Sequence, residues 1–242
     1  MKHLIVFLLC WLPVIVTGQQ QLPILCYHNI TVPGTHKNDL LHVDRAQFER
    51  QLRTLADSGY HTISPDAAIT LLKEGRPIPP RTCIITFDDS HAEHATVAAP
   101  LLQHFGLRGV FFVMTVTLNK PRYLSKDQIK TMADQGHVIA SHTWDHPHLK
   151  LTGVMDWQKQ LVEPRQQLEK ITGRPVWYFA YPFGEYNDSI IVELKKAGYK
   201  AAFQLNRHPT PGNELYTLRR LMVDGNWSGP RLVAAMAVYG TQ

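Results

Sequence analysis

Residues 84–91 read IITFDDSH, an apolar run that stops at two adjacent carboxylates, Asp88 and Asp89. Neighbouring side chains on a strand point to opposite faces. Where a strand ends and the chain turns, both can aim into one site and take different jobs. The plain alternative is that one of them only caps the following helix. Further on, SHTWDH places His142 and His146 four residues apart. In a helical turn that spacing puts both imidazoles on one face, at a distance that lets them share a metal. Two surface histidines, in a chain with 13 of them, is the competing reading. Asp89, His142 and His146 together form a set with open coordination positions, suited to a catalytic Zn2+ or another divalent metal. Such an ion brings the pKa of a water toward neutrality and polarises a carbonyl. Asp88, free of the metal, would then act as the base.

These residues need elements to hold them, and the chain alternates strand and helix signals. Apolar runs read as strands in LPILCYH (22–28), YHTI, TCIITF, GVFFVM, HVIAS, VWYFA, KAAFQL and TLRRLMV. Between them, Asp44, Ser64-Pro65, Ser125 with Gln128, and Asn187 open helices as caps, and Gly59, Gly75, Gly106, Gly136 and Gly198 close them. Residues 92–105, 156–172 and 230–239 also read as helical, with Pro164 a kink or break in the second of these. Strands separated by helices imply a parallel sheet with crossover helices. Seven or eight short strands suggest closure into a barrel, whose site lies at the carboxyl ends of the strands. There stand His28, the Asp88–Asp89 pair, the His142–His146 pair, YPFG and DGNW.

The 242 residues can bury a proper core, and 44% hydrophobic with 19% charged residues marks a globular chain. The start differs from the rest. Lys2 and His3 precede the apolar run LIVFLLCWLPVIV, followed by Thr17 and Gly18. That pattern reads as a signal peptide over 1–18, removed on export to a secreted or periplasmic location; a retained anchor is the alternative. One domain over 19–242 would follow, with no appended binding module. Removing 1–18 takes one Lys and lowers the net charge from +5 to +4. This mild excess fits association with anionic envelope surfaces and is too small to argue for nucleic-acid binding. Cys26 and Cys83 remain, both in strand-like runs, and read as buried free thiols rather than a disulfide scaffold.

TFDDS followed by SHTWDH and then FAYPFG resembles the polysaccharide deacetylases of carbohydrate esterase family four, the NodB-homology fold, over about residues 22–240. The resemblance implies an α/β fold, a distorted (β/α) barrel with about seven parallel strands. It implies a metal-dependent N-deacetylase acting on polymers of N-acetylhexosamine. It makes Asp88 the base and Asp89, His142 and His146 the metal ligands, with a backbone N–H near Phe183 helping to hold the oxyanion. Three positions depart from the family pattern. Ser90 stands where the first motif usually ends in Gly. Ala180 stands where the third motif often carries an Arg that steadies the catalytic Asp. The late leucine–histidine motif that normally gives the acid is absent, and His208 in FQLNRH is a poor substitute.

FAYPFG is similar to the branch that includes exported deacetylases of poly-β-1,6-N-acetylglucosamine, a biofilm polymer. In that branch the acid comes from an early YH, here Tyr27-His28. Arg220 could supply the missing cation, although Arg219 alternates with it and competes for the inward position. Tyr181, Phe183, Trp144 and Trp227 could line a sugar groove, against core packing as the alternative. Asp224, in VDGNW, lies in an element like the family's fourth motif. The expectation is an exported N-deacetylase of an N-acetylglucosamine-containing polysaccharide, with groove loops such as 29–43 and 206–216 setting the polymer. Peptidoglycan or chitin oligosaccharides are the alternative substrates. A metal-dependent amidase of a non-sugar amide is a further rival. A non-catalytic sugar-binding protein on the same fold is the rival of another class.

Overall fold

The computed structural model describes residues 22–150, 155–205 and 208–239. The expected signal peptide over 1–18 lies outside them. The chain runs β1 (Ile24–Tyr27), β2 (Asn29–Thr31), β3 (His42–Asp44), α1 (Arg45–Asp57), β4 (His61–Thr62), α2 (Pro65–Lys73), β5 (Thr82–Phe87), α3 (Ala99–His104), β6 (Gly109–Val113), α4 (Lys126–Asp134), β7 (Val138–Ser141), α5 (Glu163–Thr172), β8 (Tyr178–Ala180), α6 (Asp188–Lys196), β9 (Ala201–Gln204), β10 (Leu218–Arg219), β11 (Leu221–Met222) and α7 (Gly229–Tyr239).

The expected caps form. Asp44 and Asn187 accept from the N–H of Gln47 and Ile190 at 2.9 and 3.0 Å, and Ser125 with Gln128 makes a reciprocal capping box. The strands of the main sheet pair in parallel, in the order β10-β9-β8-β7-β6-β5-β1-β11, with β4 beside the start of β5. The two ends of this order are one stretch of chain. Residues 218–219 pair with β9, residues 221–222 pair with β1, and Arg220 sits between them. That stretch is the stave that closes the barrel, so the sheet has seven staves and a short flanking strand. The NodB-like distorted barrel expected from the sequence is the observed fold.

Alternation along the strands sorts the core into two layers. Ile24, Ile84, Val110, Phe112, Ala140, Tyr178, Ala180, Phe203 and Leu218 meet inside, with Ala68 and Ile69 of α2 packed against them. Leu25, Tyr27, Ile85, Phe87, Phe111 and Phe179 face outward, against residues such as Phe48 and Leu52 of α1 and Leu168 of α5. The same parity separates the two thiols. Cys26 is aligned with Thr86 on β5 and points inward, whereas Cys83 belongs to the outer layer, so both are free and buried.

Three local features differ from expectation. The segment 29–43 contains a small sheet, β2 with β3, where only a loop was expected. The helix expected over 92–105 opens with a π turn at His94–Ala98, and the one around Pro164 opens with a π turn at Gln158–Val162. Pro100 and Pro164 lack a backbone donor, and the upstream turn widens by one residue to accommodate them. No helix among the described residues is long and apolar enough to cross a membrane.

Candidate active site

Going up the barrel axis, the inward positions change from apolar to polar and ionisable: Ile24 gives way to Cys26 and His28, Ile84 to Thr86 and Asp88, Ala140 to His142, and Leu218 to Arg220. At Asp88 the parity is regular, and its side chain is buried inside the barrel. Asp89 would face the outer layer if the strand continued. Instead its φ of 73° turns the backbone and brings it back into the mouth. Ser90, Thr143, His146 and Phe183 also have positive φ, so strained backbone collects at these strand ends. Ser90 is where a glycine was expected, and its φ of 61° shows why. The serine is kept in place by its hydroxyl, which accepts from the Met114 N–H at 2.7 Å and ties the end of β5 to the end of β6.

Asp89, His142 and His146 come together. Asp89 Oδ1 lies 3.5 Å from His142 Nε2 and 3.6 Å from His146 Nε2. One ligand atom from each residue falls within 4.8 Å of the others, so the three can hold a divalent cation. The Nδ1 of His142 is 2.7 Å from the carbonyl of Ala180. Donation there presents the Nε2 lone pair to the site, the usual way a metal-binding imidazole is oriented. The expectation that a helical turn unites the histidines is corrected. Residues 142–148 are irregular, and His146 is placed by positive φ at Thr143 and His146 and by its N–H donating to Thr143 Oγ1 at 2.9 Å.

Arg220, not Arg219, faces the barrel. It grips Asp88 with two bonds of 2.7 Å, from Nη1 to Oδ1 and from Nη2 to Oδ2, and lies 5.2 Å from the centre of the Phe112 ring. Arg219 instead stacks on Tyr239. Burial alone would raise the pKa of Asp88, but the charge of Arg220, with smaller help from His142, holds it down at about 2. Asp89 is also held well below the usual carboxylate range: burial opposes this, and His142, His28 and His146 outweigh it. Burial disfavours charge on His142, yet the two aspartates beside it raise its pKa overall. The pair of carboxylates therefore draws a positive charge to this point.

His28 is buried, with Nε2 3.9 Å from Asp88 Oδ2. Burial lowers its pKa, while Asp88 and Asp89 pull the other way. Phe183 is half exposed, its ring stacked 3.8 Å from His148 and edge-on to His146 at 4.5 Å. Its N–H reaches no backbone acceptor among the described residues.

Of the other expected groove residues, Tyr181 is corrected, whereas Trp144 and Trp227 are partly exposed. Tyr181 is fully buried in the outer layer and donates its hydroxyl to the Tyr216 carbonyl, so it is a core residue and does not line the groove. The parity of β8 decides this, because Ala180 is the inward residue. Trp144 lies under the Lys159 ammonium, 3.7 Å from the ring centre. Trp227 is partly buried, with its carbonyl held by Gln51 at 2.8 Å and its ring near the Arg231 guanidinium. Asp224 shapes the turn before Trp227 by accepting from the Asn226 N–H at 2.8 Å. His208 is exposed.

The sequence reading missed His94. It is buried in the π turn, in contact with the rings of Phe87 and Phe111, and its Nε2 lies 2.7 Å from the His28 carbonyl, fixing the end of β1. In the sequence it is one more histidine in a histidine-rich stretch, and only the fold brings it to His28.

The comparisons with known proteins agree with this geometry. A family model described as polysaccharide deacetylase matches residues 75–202. The protein YxkH of Bacillus subtilis (strain 168) is 30% identical over 216 residues, which cover 86% of this chain and 74% of that protein. The poly-β-1,6-N-acetyl-D-glucosamine N-deacetylase of Staphylococcus aureus (strain MRSA252) is 25% identical over 196 residues, 75% of this chain and 67% of that protein. The deacetylase PplD of Streptococcus pyogenes, solved in complex with acetate, superimposes with a TM-score of 0.82 at 26% identity, covering 89% of this chain and 98% of that one. With the motifs, the barrel and these relatives in agreement, the chain belongs to the polysaccharide deacetylases of carbohydrate esterase family four, hydrolases that act on amide bonds.

Proposed function

We propose that the protein is an exported, divalent-metal-dependent N-deacetylase that removes acetyl groups from N-acetylglucosamine residues of a polysaccharide, with poly-β-1,6-N-acetylglucosamine as its polymer. The observation that carries the reading is the Arg220–Asp88 pair set directly beside the Asp89–His142–His146 group. One carboxylate is neutralised and oriented by an arginine, and its neighbour is free to bind a cation. The similarity to the S. aureus enzyme supports the choice of polymer. The basic, apolar start of the chain supports export.

Asp89, His142 and His146 would hold Zn2+ or a similar ion, which supplies Lewis acidity toward a carbonyl oxygen and a nucleophile available at neutral pH. The remaining work belongs to the chain. Asp88 is ionised at neutral pH, the state a base needs, and takes the proton of the attacking water. The Phe183 N–H donates to the oxyanion that forms from the acetyl carbonyl. His28 gives a proton to the departing nitrogen, because an unprotonated amine is too basic to leave easily. The main chain that carries it is held by the bond from His94 to its carbonyl. The products are acetate and a free amino sugar.

The test is acetate release from poly-β-1,6-N-acetylglucosamine, peptidoglycan and chitin oligosaccharides, before and after chelation and after adding Zn2+ back. Release from the first polymer, lost on chelation and restored by the metal, is expected. Turnover confined to peptidoglycan or chitin would reassign the polymer. Full activity in protein shown to be metal-free would overturn the metal's role.

A further inference from the structure

Beneath the Asp89–His142–His146 group lies a second set of ligand atoms. Cys26, His28 and Asp88 are all buried and offer a sulfur, an imidazole nitrogen and a carboxylate oxygen within 4.8 Å of one another. Asp88 Oδ2 is the common point, 3.8 Å from Cys26 Sγ and 3.9 Å from His28 Nε2; His142 Nε2 is also 3.9 Å away, so the set adjoins the first group. Arg220 uses one lone pair on each Asp88 oxygen, which leaves Oδ2 able to accept on its other side. The Nδ1 of His28 has no hydrogen-bond partner. The reaction proposed above needs Asp88 and His28 but gives Cys26 nothing to do, although the thiol touches the base.

We propose that Cys26, His28 and Asp88 form an inhibitory site for a thiophilic divalent cation such as Cd2+, separate from the Asp89–His142–His146 site. Softness favours such an ion. A thiolate selects soft cations, and Mg2+ or Ca2+ gain little from it. The nearby Arg220 charge opposes a second cation, and deprotonation of the thiol offsets it. Binding exchanges the S–H proton for a sulfur–metal bond and releases that proton to solvent, with no change of oxidation state. The ion enters from the mouth, where the His28 side chain is 9% exposed. Once bound it occupies the proposed base and the proposed acid together, so inhibition follows from the deacetylase reading, whereas binding itself does not depend on it.

The chain has three cysteines, so the full chain carrying Cys10→Ala and Cys83→Ala keeps Cys26 as its sole thiol. This protein, loaded with one equivalent of its catalytic metal, is titrated with Cd2+. Thiolate-to-metal charge-transfer absorbance, metal content and acetate release are followed together. The expected result is one further equivalent of Cd2+, a charge-transfer band saturating with it, and activity falling in step while the first metal stays bound. Adding Cys26→Ser, with Cys26→Ala as a second replacement in case one disturbs folding, should remove the band. It should leave uninhibited activity in place and raise the half-inhibiting Cd2+ concentration about tenfold or more. No band in the sole-thiol protein overturns the site. An unchanged inhibition curve in the Cys26 variants, or loss of the first metal in step with inhibition, places the Cd2+ effect at Asp89–His142–His146. If no polymer is deacetylated, the functional reading fails, and the band still decides whether Cys26 is a ligand.

Discussion

Asp88 and Asp89 are adjacent in sequence but differ in their partners. Asp88 is spoken for by Arg220, and Asp89 faces two imidazoles. Asp88→Asn should therefore keep the metal and lose turnover, by about 10²–10⁴-fold. Asp89→Ala should lose the metal itself. Elemental analysis beside the assay separates the two, and equal metal loss in both would refute the division of labour. His28→Ala should leave folding and metal content intact and lower turnover by about 10²–10⁴-fold, while the exposed His208→Ala stays close to the parent. Arg220 also sets a pH limit. Asp88 has a folded pKa of about 2, below its unfolded value near 4. Its contribution to stability is thus complete above about pH 4 and is lost as pH falls toward 2. Arg220→Met leaves a buried carboxylate unpaired, and burial then raises its pKa. The acid limb of the rate profile should move to higher pH, and stability in urea should fall by about 3–5 kcal/mol. An unshifted limb would mean that Arg220 does not tune the base.

At the scale of elements, the strand ends are joined by side chains as well as by the ladder. Ser90 is the example: its backbone sits where a glycine fits best, and its hydroxyl satisfies the buried Met114 N–H. Ser90→Ala keeps the strained φ and removes the acceptor, costing about 1–3 kcal/mol. Ser90→Gly also loses the acceptor but relaxes the backbone, so its stability should fall between the two. Urea unfolding of the three proteins checks the order, and a Gly variant weaker than the Ala variant would refute the strain argument. The two π turns belong to this scale too. Each precedes a proline near the start of an α-helix, and the first one carries His94 toward the His28 carbonyl. A regular helix at 94–98 would shift the direction of that ring by a fraction of a turn.

For the whole molecule, the barrel interior is divided along its axis. Its lower part is filled by apolar side chains and packed against α2, and its upper part is ionisable. The apolar layers that join the seven staves include none of Asp89, His142 and His146. Chelated protein should therefore keep its circular dichroism spectrum and a cooperative thermal transition while losing activity. Unfolding on chelation would show that the metal is part of the core, as in small metal-dependent domains. Mass spectrometry of the protein recovered outside the cytoplasm should find a chain that begins near residue 19. An intact Met1 would favour the retained-anchor alternative.

The sequence by itself determined the local elements and the chemistry available. Caps at Asp44, Ser125 and Asn187, apolar runs of strand length, and Asp and His residues at the ends of those runs are all properties of short windows, and they survive in the fold. Tertiary structure decided what depends on where distant segments meet. Arg219 and Arg220 are equivalent in sequence, and only the stave that pairs β9 with its first half and β1 with its second half turns Arg220 inward to Asp88. Tyr181 and Phe183 both read as groove aromatics, and the parity of β8 buries one while a positive φ exposes the other. His142 and His146 have the spacing of a helical turn, but an irregular loop with two strained residues brings them together. His94 reaches His28 only because α3 and its π turn pack beside the end of β1. Periodicity records which way a side chain leaves its own backbone. It does not record what waits on the other side of the barrel, and that is where the partner of each site residue lies.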